Sequence, residues 1–365
     1  MKTRISALTL LTLTAAIAAP AAADTLTERT NRGLVEVITG STAGSSARIA
    51  EDLADVLDDG ATRRVLPVVG KGSLQDLVDL KALRGVDLAI VQADVLDHVK
   101  MQRALGVDSG VTYIAKLYNE EFHLLARGDV HGIADLAGKK VNFGSQGDGT
   151  TITGPRLFEL LKVPVEATSY GQAMALEKLK RGQIAAMAFV TAKPAPLFSN
   201  LRAQDGLHFL AVPLKSDMAA RYSPARLTAD DYPGLAAQGP VDTVAVGTVL
   251  VVANLVPESE RYRNAASFVE AFFTQFPKLL EAPHHPKWSE VNLAAELPGW
   301  RRFAPADAWI KRNGAAGAVA MSEDQMRDIF VKFLDERSKV SGSAALSGDQ
   351  KDQLFAQFRR WQDSH

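Results

Sequence analysis

Three short stretches combine glycine with hydroxyl side chains in a way that can hold an anion. They are TGSTAGS (39–45), GKGS (70–73) and GSQGDGTT (144–151). Glycine lets the backbone approach a ligand closely, and a helix opening directly behind such a loop presents unpaired N–H groups and the positive end of its dipole. Each hydroxyl either caps its helix or donates to a ligand. Any one of the loops, taken alone, is more simply a turn followed by a cap. Three of them at strand ends favour an anion site.

Phosphate chemistry does not fit these loops. A P-loop needs a lysine followed by a hydroxyl after its last glycine, and neither GSTAGSSA nor GSQGDGTT has one. GDGTTITG (147–154) carries two glycines of a dinucleotide fingerprint and misses the third by two positions, and Asp148 would repel a phosphate. No Gly-x-Ser-x-Gly elbow and no His-Glu-x-x-His pair is present. The chain has no cysteine, which excludes disulfides and thiolate chemistry. His284-His285 beside Pro286 reads as an exposed turn, His123 as a structural residue in a strand, and Glu120-Glu121 as a solvated hinge rather than an acid/base pair. A binding site without a general base argues for capture, not turnover, with no metal and no cofactor.

The elements behind the loops alternate. LVEVIT (34–39), RVLPVV (64–69) and VDLAIVQ (86–92) read as strands, and Pro67 places the second at a sheet edge. SSARIAEDLADVL (45–57), SLQDLVDLKAL (73–83) and DVLDHVKMQRAL (94–105) read as helices between and after them. Repeated strand–helix units imply right-handed crossovers and a mostly parallel sheet. Two long extended runs, YIAKLYNEEFHLLAR (113–127) and VDTVAVGTVLVVAN (241–254), suit strands crossing between two lobes. This predicts an α/β, two-lobed fold with a hinge and an interlobe cleft. Residues 24–118 begin lobe I, 119–244 form lobe II, 245–314 complete lobe I, and 315–365 add C-terminal helices.

The net charge of −1 gives no reason to expect a nucleic-acid partner. The start, MKTRISALTLLTLTAAIAAPAAAD, has Lys2 and Arg4, an apolar run from Ile5 to Ala19, and small residues before a cut near Ala23. That pattern predicts a cleaved signal peptide and export to a periplasm. The apolar run is short for a membrane span, which needs about 20 residues.

In this order the motifs VITGSTAGSSARIAEDLADVL, VVGKGSLQDLVDLKALRGVDLAIVQADV, LYNEEFHLLARGD, IADLAGKKVNFGSQGDGTTITG and YPGLAAQGPVDTVAVGTVLVVANLVPE resemble the TAXI family of periplasmic solute-binding proteins. The resemblance covers roughly 33–310. It implies a hinge-closing receptor of the type II periplasmic class that hands a small organic anion, a carboxylate or an amino acid such as glutamate, to a TRAP permease. That permease is membrane-embedded, with fused small and large subunits driven by an ion gradient. Carried over residue by residue, the ligand contacts fall on Thr42, Gly44 and Ser45, on Gly72 and Ser73, on Gln92, and on Gly147, Asp148, Gly149, Thr150 and Thr151, with Tyr118 as an aromatic wall. SSARIA replaces the family's usual aromatic pair and proline, which makes Arg48 a candidate cationic contact. Asp148 stands where the family usually has serine, and so either meets an amine or caps the helix. The alternatives are a periplasmic sensor presenting its bound form to a membrane kinase, and the binding protein of an ABC importer.

Overall fold

The computed structural model describes residues 31–102, 110–318, 347, 348 and 350–356. The expected signal peptide and most of the expected C-terminal helices lie outside the described residues. The described chain forms one mixed sheet flanked by helices.

Three strands, β1 (Leu34–Thr39), β2 (Arg64–Val69) and β3 (Val86–Gln92), pair in parallel, with β2 at the edge that Pro67 requires. Helices α1 (Ser46–Leu57), α2 (Ser73–Ala82) and α3 (Ala93–Met101) follow them. In α1, Ile49, Ala50, Leu53 and Leu57 recur at helical spacing and are fully buried, while Glu51 and Asp55 face solvent. The sequence reading ran the third helix on to 105, but the assigned α3 ends at Met101, and residues 103–109 lie outside the described residues.

A second set repeats the pattern: β5 (Lys140–Asn142), α4 (Thr150–Leu161), β6 (Glu166–Thr168), α5 (Gln172–Lys180) and β7 (Ala186–Thr191), with β5 parallel to both β6 and β7. A short α6 (Pro196–Ser199), β8 (Leu207–Phe209) and β9 (Ser223–Leu227) complete this half.

Two long strands join the halves. β4 (Val111–Arg127) and β10 (Val241–Ala253) pair antiparallel along most of their length. The sheet therefore runs β2-β1-β3-β10-β4-β7-β5-β6, with β8 on β4 and β9 on β10. The expectation of a mostly parallel sheet is corrected here. Each half is parallel, but the centre is antiparallel, because β4 and β10 run in opposite senses and each must pair with the other and with a strand of one half.

Core packing follows the same division. At the β1–β3 end, the core includes α7 (Glu260–Leu279), whose Phe268, Phe272 and Phe276 form an i, i+4, i+8 stripe against Trp288. Ser259 caps this helix by accepting from the Tyr262 N–H (3.2 Å), with Glu260 in the first turn. A further helix, α8 (Ala304–Ala318), packs Trp309 on Phe273. At the β5–β8 end, His123, Phe198, Phe209 and Tyr232 form a separate aromatic cluster. Because β4 and β10 run through both ends, the two sets of glycine loops face each other across the middle of the sheet.

Candidate functional site

The loops after β1, β2 and β5 converge on a narrow cavity of about 30 Å³. That is room for roughly two waters. Gly44, Gly72, Ser73, Gln92, Asp148 and Gly149 lie on its wall, joined by Glu120 from β4 and Thr248 from β10. Of the other residues carried over from the sequence, Thr42 is exposed and off the wall. Gly147, Thr150 and Thr151 are off the wall as well, and Thr151 lines a separate space with Asp94 and Tyr222. Tyr118 is not a wall: its ring is fully buried in the core, 6.4 Å from that of His285. Arg48 does not face the cavity either. Its guanidinium pairs with Asp52 (3.1 Å) and donates to the Pro283 carbonyl (3.1 Å) on the outer side of α1.

Sequence reasoning left open whether the loop N–H groups are free for an outside anion or held as caps. In the structure, several are taken by the protein's own carboxylates. After β2, the N–H of Gly70 donates to the Thr39 carbonyl (2.7 Å), and those of Lys71 and Gly72 both point at Asp76 Oδ1 (3.2 and 3.3 Å). Asp76 lies one turn into α2 and folds its carboxyl group back onto the loop. After β5, Asp148 Oδ1 accepts the Thr150 N–H (2.9 Å) and caps α4. After β1, the Gly40 N–H donates to Ser46 Oγ (3.1 Å). Ser45 turns away from the loop: its Oγ donates to Glu120 Oε1 (3.0 Å) and accepts from the Ala192 N–H (3.1 Å), while its N–H reaches Thr191 Oγ1 (3.2 Å).

Glu120 is the residue the sequence missed. The Glu120-Glu121 pair read as a solvated hinge, and that expectation is corrected: both side chains are buried, at 5% and 3% exposure. Glu120 Oε2 accepts from Gln92 Nε2 (2.7 Å). Glu121 pairs with a second buried group, Lys287, at 2.6 Å, and Lys287 also holds Glu290 at 2.6 Å. The length of β4 was the available signal, since a strand this long inside a sheet buries both faces.

Burial controls the charge state of these acids. It pushes Asp76 up to about 8 against the two backbone N–H bonds, with Asp79 and Asp148 as further like charges. It pushes Glu120 up to about 7, opposed by the Gln92 and Ser45 bonds and reinforced by Asp148 and Glu121. Asp148 rises to about 6 for the same first reason, despite its Thr150 and Gln172 bonds. Three carboxyl groups thus sit in or behind one cavity, each at the edge of ionisation near neutral pH.

Elsewhere His123, His284 and His285 are held by contacts within the fold. His123 Nε2 meets Tyr232 OH at 2.7 Å, and desolvation lowers the ring to about 4. His284 and His285 are half-buried against α1, where His284 meets Asp55 (3.2 Å) and the His285 N–H donates to Asp52 (2.8 Å). Among the described residues, no group of three or more histidines and acids is placed to hold a metal.

The two halves touch directly around the cavity. The Gln75 N–H donates to the Gly147 carbonyl (3.1 Å). Asp94 Oδ2, on α3, accepts from Thr153 Oγ1 (2.8 Å) on α4 and from Tyr222 OH (3.0 Å). Beside that contact, a second space of about 460 Å³ lies between α3 and α4, lined by Asp94, His98, Arg156 and Tyr222.

Residues 37–298 match the NMT1-like family. The chain belongs to the NMT1-like family. Solved structures similar to this NMT1-like protein include the periplasmic binding protein BugD, at 14% identity and TM-score 0.46 over 78% of this chain and 95% of that one. The alkanesulfonate-binding protein SsuA from Xanthomonas axonopodis pv. citri, bound to MOPS, is similar at 15% identity and TM-score 0.43 over 89% and 83%. An ABC uptake transporter substrate-binding protein from Streptococcus pneumoniae with bound histidine gives 15% and 0.44 over 72% and 93%. No helix of this NMT1-like protein, among the described residues, is long and apolar enough to cross a membrane.

Proposed function

We propose that this NMT1-like protein is a periplasmic solute receptor of the TAXI type, which captures a small organic solute and delivers it to a membrane-embedded TRAP permease with fused subunits. The observation that carries the reading is the cavity itself: its wall comes from both halves of a sheet that two long strands, β4 and β10, hold together. On this reading 24–118 with 245–314 form one lobe and 119–244 the other. They part about β4 and β10 to admit the solute and close to exclude water. The solute must bind the closed form better than the open one, since nothing else drives closure. Contacts come from Gly44, Gly72, Ser73, Gln92, Asp148 and Gly149, with Glu120 at the floor. Ser45 acts through Glu120 and the other half, and Thr150 through its bonds to Asp148 and β7.

Purified protein, stripped of co-purified solute by unfolding and refolding, is expected to gain thermal stability with at least one member of a panel of amino acids and organic acids. No shift across the panel would count heavily against a receptor role. Uptake that needs a TRAP permease supports delivery to it, whereas dependence on an ATPase would assign the protein to an ABC importer.

A further inference from the structure

Several backbone donors around the cleft are already taken by the protein's own carboxyl groups. In the loop after β2, the N–H groups of Lys71 and Gly72 already serve Asp76, and in the loop after β5 that of Thr150 serves Asp148. Facing them is Glu120, whose carboxylate is bound on one side by Ser45 and on the other by Gln92. Gln92 is 4% exposed, and its Oε1 has no hydrogen-bond partner. A buried carbonyl left in that state costs free energy until a donor reaches it.

That oxygen faces Gly149 of the opposite half, and both residues line the cavity. While Glu120 is ionised the Gln92 amide cannot turn round to relieve it, because Oε1 would then meet a carboxylate. The missing partner is therefore a donor supplied from the cavity.

The charges around Glu120 do not compensate it. From β4 come Glu121 and the Tyr118 hydroxyl, from the residue before α1 the Ser45 hydroxyl, and from the loop before α4 Asp148. Lys287 is engaged by Glu121 and Glu290. Lys71 lines the cavity at its exposed rim.

We propose that the group recognised at the floor of this cleft is a protonated amine, donating to Glu120 and to Gln92 Oε1, so that the solute is an amino acid or a small amine rather than a bare carboxylate. This rests on the receptor reading above and narrows its ligand. An ammonium group supplies three donors and a positive charge to a site holding an orphan acceptor and a carboxylate. An amine-free dicarboxylate would instead face Glu120 and Asp148 with like charge.

The test compares matched pairs by calorimetry on the stripped protein: glutamate against 2-oxoglutarate and alanine against pyruvate, with putrescine as an amine lacking a carboxylate. Titrations at neutral pH in two buffers of different ionisation heat report protons exchanged on binding. The expected result is at least tenfold tighter binding of an amine-bearing member, with proton release. Affinity should rise by up to about tenfold per pH unit as the wall acids ionise. Glu120→Gln should lose at least tenfold in affinity for that amine while its unfolding midpoint at pH 6 stays within a few degrees of the parent protein's. Equal or tighter binding of the keto acid with proton uptake overturns the amine assignment and leaves the receptor reading standing. Unchanged affinity in Glu120→Gln also overturns it, and binding of no compound at all overturns both.

Discussion

Gly149 is required by its neighbour, not by its own backbone. Its φ of −63° suits any residue, but a Cβ there would lie 1.9 Å from Gln92 Oε1 across the cleft. Gly72 is constrained twice, by φ of +128° and by the Asp148 Cα 2.7 Å from its Cβ position. Gly149→Ala should therefore leave each half folded and prevent the halves from meeting. Solute affinity should fall at least tenfold, and small-angle scattering should show a larger radius of gyration with solute present than for the parent protein.

The buried acids give a second expectation at this scale. Asp76 at about 8 and Glu120 at about 7 lie above their unfolded values, so the fold holds more protons than the unfolded chain as pH rises from about 4 to 8. The stability they contribute is complete below about pH 4 and is lost as pH rises through 7 and 8. His123, lowered to about 4, works in the opposite sense: its contribution is present above about 6.5 and lost as pH falls through 4. The two effects oppose each other up to about pH 6.5, and above it the carboxylates act alone. Stability measured by denaturant unfolding without solute should fall by about 2 kcal/mol between pH 6.5 and 8. Glu120→Gln should flatten that slope.

Among the elements, β4 carries the most consequence. It places Glu120 on the cavity, Glu121 on Lys287 and His123 in the aromatic cluster, within four residues. Lys287 is 5% exposed and bound by two carboxylates. Lys287→Met would leave Glu121 buried without its partner, and should cost about 3–5 kcal/mol in denaturant unfolding. The α3–α4 contact is a second junction. Asp94 is buried, with Oδ1 unpartnered and Oδ2 held by Thr153 and Tyr222. Tyr222→Phe removes one of these donors and should destabilise the closed form by about 1–3 kcal/mol. The readout is scattering: the solute-free protein should expand, while a solute at saturation should restore the compact form.

The whole molecule couples these parts, because no strand other than β4 and β10, among the described residues, runs through both core regions. Much of this frame was legible in the sequence. Strand–glycine–helix order marked the loops holding Gly44, Gly72, Ser73 and Gly149, and the family resemblance added Gln92, because a residue at the end of a parallel strand reaches the cavity whatever the neighbouring half does. The length of 113–127 and 241–254 marked the crossing strands for the same local reason. Thr42, Tyr118 and Arg48 were not legible: the first faces solvent, the second packs into the core, and the third turns to the outer side of α1.

The amino-acid sequence by itself determined the α/β class, the position of the glycine loops and the residue types they present, since these follow from periodicity and backbone conformation within a few positions. Only the tertiary structure decided the sign of the site. Whether a loop N–H is free for a ligand depends on which carboxylate folds onto it. Asp76 does so from one turn along its own helix, Asp148 from within its loop, and Glu120 reaches Ser45 from a strand 75 positions away. An electrostatic site is a sum over such distances in space, and spacing along the chain does not contain them.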